Sequence, residues 1–166
     1  MERNWQDAGA LCGTREPDHG TWSVLVKMFP KANLPVFQLS LDYGTDLKGH
    51  YELAKELSYL RQKGVLIIGS GNIVHNLRMA RWDSNELYDW AVAFDEQVKS
   101  LILDKDHPAL ISGENLNREA GLSIPTPEHY LPLLYSLAQQ EADEQVNFFN
   151  EQVDMGSVSM RSLLIS

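Results

Sequence analysis

Apolar positions recur along this chain in two rhythms. Leu47, Tyr51, Ala54, Leu57 and Leu60 return every three or four residues and stop at Lys63-Gly64, which predicts a helix over about 46–63 closed by glycine. Leu87, Trp90, Ala91, Phe94, Val98, Leu101 and Ile102 make a longer stripe. It predicts a helix over about 84–104 with Asp83 or Ser84 as its cap. Asp89, Glu96 and Lys99 fall off that stripe. The other rhythm is continuous: Pro35-Val36-Phe37-Gln38-Leu39-Ser40-Leu41 and Val65-Leu66-Ile67-Ile68 are apolar runs between turn residues. Buried strands are expected there, over about 35–41 and 65–70.

Shorter signals fill the rest. Thr21 to Phe29 suits a helix stopped by Pro30, which cannot continue one. Thr126-Pro127-Glu128 is a helix start, followed by Tyr130, Leu133, Leu134 and Leu137 on one side. Val146–Phe149 and Ser157–Leu163 suit two closing strands joined through Met155-Gly156, expected to pair antiparallel. Strands alternating with amphipathic helices indicate an α/β fold: a three-layer domain with a mixed central sheet flanked by helices. One domain over 18–166 is expected. Residues 1–17, broken by Gly9, Gly13 and Pro17, make an irregular lead-in.

Composition narrows the partners. The chain has 166 residues, 43% of them hydrophobic, enough for a single core. Its 14 Lys and Arg against 23 Asp and Glu leave a net charge of −9, which argues against a nucleic-acid partner. Cys12 is the one cysteine, so no internal disulfide is available and a reducing, cytoplasmic setting is expected. No apolar run reaches membrane-spanning length, and Met1-Glu2-Arg3-Asn4-Trp5 lacks signal-peptide character.

Candidate chemistry rests on histidines. His19 lies in Asp18-His19-Gly20-Thr21-Trp22, at the mouth of a short helix. Taken alone, a loop histidine is more often an exposed polar residue, and Trp22 beside it is expected in a core. His75 follows Gly69-Ser70-Gly71-Asn72, just past an expected strand, where α/β sheets collect ligands. The glycine spacing fits neither a dinucleotide fingerprint nor a phosphate loop; a tight turn aiming His75 explains it, and so does a purely structural histidine. His129 sits at the helix start after Pro127-Glu128, where ligand binding and surface capping are equally good accounts. His50 and His107 are expected to be structural or exposed. No HExxH or paired CxxC motif is present.

Taken in order, Asp18-His19-Gly20-Thr21-Trp22, Pro35–Leu41, Gly69-Ser70-Gly71 with His75-Asn76-Leu77, Pro125–Leu134 and Gly156–Ser162 resemble the second half of the DODA-type class III extradiol ring-cleavage dioxygenases. The resemblance runs from about Asp18 to the C-terminus and implies insertion of dioxygen into a catechol ring beside its hydroxyls. It implies His19 as the acid/base, His75 as a metal ligand and His129 at the substrate. Fe(II) is the implied cofactor, and a three-histidine site of this kind also suits Zn(II). The implied partners are dioxygen and a small catecholic substrate such as DOPA. The family's earlier histidines, in a Gly-His-Gly-Ser-Pro type turn and an Ala-His-Trp segment, have no counterpart here, and residues 1–17 do not match. The expectation is therefore a truncated form holding the C-terminal portion and lacking metal ligands. The alternative is a non-catalytic fragment or binding module that keeps the fold. Absent strands would leave Val36, Leu39, Val65 and Ile67 partly uncovered, and association into a homo-oligomer is expected to follow.

Overall fold

A computed structural model of the chain describes residues 19–112 and 119–166, His19 through its backbone alone. The lead-in over 1–17, with Cys12, lies outside the described residues. Packing divides the chain into two units, Met1–Asp42 and Tyr43–Ser166. In the first, α1 (His19–Met28) ends before Pro30, as expected, with the Phe29 N–H donating to the Leu25 carbonyl at 2.8 Å. Leu25 and Ala32 are buried, and Trp22, Phe29 and Val36 pack on them. Trp22, expected in a core, is half-buried against this cluster.

In the second unit, α2 (Leu47–Glu56) is capped by Asp46, whose Oδ1 accepts from the Gly49 N–H at 2.7 Å, an interaction worth about 1 kcal/mol. A 3₁₀ turn, Ser58–Lys63, follows and closes on Gly64 in the left-handed region (φ 78°). The stop at glycine is as expected; the helix itself tightens after Glu56. α3 (Asp89–Leu103) is the longest helix and begins later than expected. The Ser84 hydroxyl accepts from the Glu86 N–H in a local turn instead of capping a helix. The helix starts where the Tyr88 N–H reaches the Gly156 carbonyl at 3.2 Å.

Three further short helices follow among the described residues: α4 (His107–Ser112), α5 (Ala120–Ser123) and α6 (Leu131–Leu137), the last preceded by a 3₁₀ turn at Pro127–His129. The core lies between α2, α3, α4 and α6. Ala54, Phe94, Val98, Ile102, Leu110, Tyr130, Leu134 and Leu137 are fully buried, and a large apolar side chain so placed contributes about 1.5–3 kcal/mol. His50 is buried too, its Nδ1 2.9 Å from the Tyr135 hydroxyl, and the Tyr51 hydroxyl meets His107 Nδ1 at 2.7 Å. Both histidines are structural, as expected.

The chain is α/β, with helices and small sheets. β1 (Val146–Phe149) pairs antiparallel with β4 (Ser162–Ile165), the antiparallel closure expected from sequence, though the run expected as one strand over Ser157–Leu163 is divided in two. Between them β2 (Val153–Asp154) and β3 (Val158–Ser159) form a second antiparallel pair. Met155 (φ 50°) and Gly156 (φ 77°) make its turn, consecutive left-handed residues of the kind tight hairpins use. The runs 35–41 and 65–70 depart from expectation. Neither is in a ladder among the described residues, and Phe37, Leu39, Val65, Leu66 and Ile68 are exposed. A strand exists through its hydrogen-bonded neighbour, and apolar character cannot create one where no neighbouring strand is in place.

Candidate functional site

Residues 72–76 cross the second unit between three other segments, and each contributes hydrogen bonds. The Asn72 N–H donates to the His129 carbonyl at 2.8 Å, and the Asn72 side-chain amide to the Ser159 carbonyl at 2.7 Å. The His75 N–H donates to the Ser123 carbonyl at 2.9 Å, while His75 bridges antiparallel to Val158. Asn76 gives its side-chain amide to the Leu122 carbonyl and accepts the Ser157 hydroxyl at its own carbonyl, each at 2.8 Å. Ile73, Val74 and Asn76 are buried. The 72–76 segment that carries His75 is therefore held by residues from three distant parts of the sequence.

Gly69 and Gly71 set the approach. A Cβ on Gly71 would lie 2.2 Å from the His129 carbonyl oxygen, and one on Gly69 2.2 Å from that of Pro132. Any side chain at either place would force this segment away from the 129–132 backbone. The glycines thus serve close approach, in place of the tight turn expected from their spacing. The consequence is that the rings of His75 and His129 stack face to face, 3.5 Å between centroids and 18° between planes.

Burial lowers the His75 pKa below the ordinary histidine value, and His129 lowers it further, against a smaller opposing pull from Glu128. The shift favours the neutral imidazole, the form that binds metals or accepts protons. Burial would raise Glu128, but the Thr126 hydroxyl, donating at 2.6 Å, its own backbone amide and the two histidines bring it below the ordinary carboxylate value.

The structure brings together His75 and His129 of the three histidines singled out from sequence. His19 opens α1 in the other unit. As a metal centre the described residues fall short. They contain no group of three His, Cys, Asp or Glu able to hold an ion, whereas a usable site needs about three protein ligands. A depression lined by Arg61, Gln62, Gly64, Val65, Leu66 and Glu141 contains no histidine.

Behind the pair lies a polar cluster that hydropathy reading passes over. The Ser159 hydroxyl donates to Asp95 Oδ1 at 2.6 Å, and Arg161 gives Nε and Nη2 to Asp95 Oδ2 at 2.8 and 2.6 Å. Arg161 also meets Glu96 and Glu151. Asp95, Ser159 and Arg161 are all buried. A signal existed: Asp95 lies four residues after Ala91 and three before Val98, on the apolar stripe of α3 itself. A carboxylate there requires a buried partner.

Comparison with known proteins gives the same picture from outside. The family described as the catalytic LigB subunit of aromatic ring-opening dioxygenase matches residues 7–159. That match begins inside the stretch expected to be lead-in. A 4,5-DOPA dioxygenase extradiol of Escherichia coli K12 is 42% identical over 154 residues, covering 89% of this chain and 56% of the relative. The protein of that name from Beta vulgaris is 32% identical, covering 87% and 54%. The crystal structure of an uncharacterized protein from Escherichia coli K12 superposes with a TM-score of 0.82 at 40% identity, over 90% of this chain and 63% of that one. The chain thus spans about half the length of the curated relatives it matches.

Proposed function

Since the chain belongs to the LigB family of aromatic ring-opening dioxygenases, we propose that it serves extradiol cleavage of a catecholic, DOPA-like substrate by dioxygen. The match over residues 7–159 carries this reading. Enzymes of the family are metal-dependent; we infer Fe(II) here, with Zn(II) suited to the same imidazole donors. His75, its N–H bonded to the Ser123 carbonyl, is assigned as one ligand, the others lying outside the described residues. His19 is assigned as the acid/base, since an imidazole near neutrality takes a catechol proton and returns it. His129, stacked on His75, is assigned to the substrate. Residues 18–166 act as one catalytic-type domain in a cytoplasmic protein, and the exposed apolar runs favour a homo-oligomer.

A second reading has one observation in its favour: the described residues hold no metal-binding trio. Under it the chain is a non-catalytic fragment or binding module with the dioxygenase fold. Metal analysis with and without added Fe(II), joined to aerobic assay with DOPA, separates the two. The 166-residue chain alone is expected to bind Fe(II) weakly and to give no yellow product. Joined to the family's N-terminal portion, it should bind metal stoichiometrically and turn over. In that form His75→Ala should abolish tight binding, and His19→Ala should keep the metal while slowing turnover by about a hundredfold. A joined protein without metal or product would establish the binding-module reading.

A further inference from the structure

We propose that Asp95 is a positioning residue for the His75–His129 pair, acting through the Ser159 hydroxyl and the β3 backbone. The proposal rests on the dioxygenase reading for its purpose, and on geometry for its substance.

Ser159 is the point where two sets of bonds meet. On one side its N–H donates to the Val74 carbonyl at 2.9 Å, and its carbonyl accepts the Asn72 side-chain amide at 2.7 Å. Those bonds bracket the segment that delivers His75. On the other side its hydroxyl donates to Asp95 Oδ1 at 2.6 Å and accepts from the Arg161 N–H at 3.2 Å. Asp95 belongs to α3, the longest helix among the described residues, and its second oxygen is fixed by Arg161. The path from helix to imidazole thus runs Asp95, Ser159, Val74, His75, through buried groups until the histidine.

Why a charge is placed there follows from what it joins. A short hairpin such as β2–β3 is marginal by itself, and its backbone bonds to 72–76 set its register without fixing it to a helix. A carboxylate accepting the Ser159 hydroxyl ties that hairpin to α3. Register matters because β3 is bonded to the segment that carries His75, so a shift of β3 moves that ring relative to His129.

The test uses the full chain without metal, and reads the stack itself. Imidazole ring protons lying over a neighbouring ring are shifted upfield in proton NMR. We expect Ser159→Ala, which deletes only the hydroxyl, to keep the far-ultraviolet circular dichroism of the parent while losing the upfield shifts of His75 and His129. Glu151→Gln, which alters the exposed end of the Arg161 cluster, should leave those shifts as they are. Should Ser159→Ala fail to fold, Asp95→Asn carries the decision, with the shifts diminished because the acceptor is weaker. Unchanged shifts in a folded Ser159→Ala, or in Asp95→Asn where that variant decides, overturn the positioning role. Equal loss in Glu151→Gln overturns it too, by showing general loosening. The metal and turnover assay described above decides the dioxygenase reading independently, so either can fail without the other.

Discussion

Residues 65–68 and 72–76 are neighbours in sequence and opposites in circumstance. Val65, Leu66 and Ile68 are apolar and exposed, at 44%, 59% and 43% of full accessibility, whereas polar Asn76 is buried at 6%. The difference lies in hydrogen-bond partners. The second segment finds them on β3, at Ser123 and at His129, so its backbone enters the interior bonded and, of the Asn76 side chain, the amide nitrogen is paired while the oxygen is not. The first touches α6 closely at Gly69, yet has no strand beside it among the described residues. In this unit, burial is decided by available partners more than by hydropathy.

The comparison breaks most severely at Arg161. Replacing it by Met leaves the buried Asp95 side chain with the Ser159 hydroxyl but without its cation, a loss of about 3–5 kcal/mol, to be read from urea unfolding. The double change Asp95→Leu with Arg161→Met should recover much of that stability while still disturbing the histidine stack. A single variant as stable as the parent would show that the cluster is solvated in solution.

Gly71→Ala comes next. Its Cβ would meet the His129 carbonyl at 2.2 Å, and overpacking of this kind costs about 1–3 kcal/mol. The expected result is a lowered midpoint of unfolding together with separation of the rings; an unaltered stack would show that 69–72 does not hold His75 against His129.

The smallest effect on stability is expected at the exposed run. Leu66→Ser with Ile68→Ser should change unfolding free energy by no more than about 0.5 kcal/mol, and, under the homo-oligomer proposed above, should reduce self-association in light scattering. Destabilisation on the scale of a core truncation would place these side chains inside a packed interface.

These differences show which parts of the fold could be read in advance. The stripes of α2 and α3, the stop at Gly64 and the antiparallel closing strands were legible, because periodicity and turn residues act locally. The runs 35–41 and 65–70 were not, because a ladder depends on a second strand that no local pattern reports. The site divides likewise. His75 and His129 could be singled out from their positions at element ends, and their stacking required the approach that Gly69 and Gly71 allow. The partnership of Asp95 with Ser159 and Arg161 spans 64 and 66 residues, so the misfit of Asp95 on an apolar stripe was visible and its resolution was not.

Those separations bear on the order in which the protein is made. Asn72 leaves the ribosome 87 residues ahead of Ser159, the residue whose carbonyl it binds. At ordinary elongation rates that is an interval of roughly 4–17 s, in which α2, α3 and α6 can each form and begin to pack. His75 spends that interval without the strand that fixes it. Assembly of the histidine pair is thus a late event in the life of each nascent chain, and synthesis broken off before β3 would leave helices behind without a site.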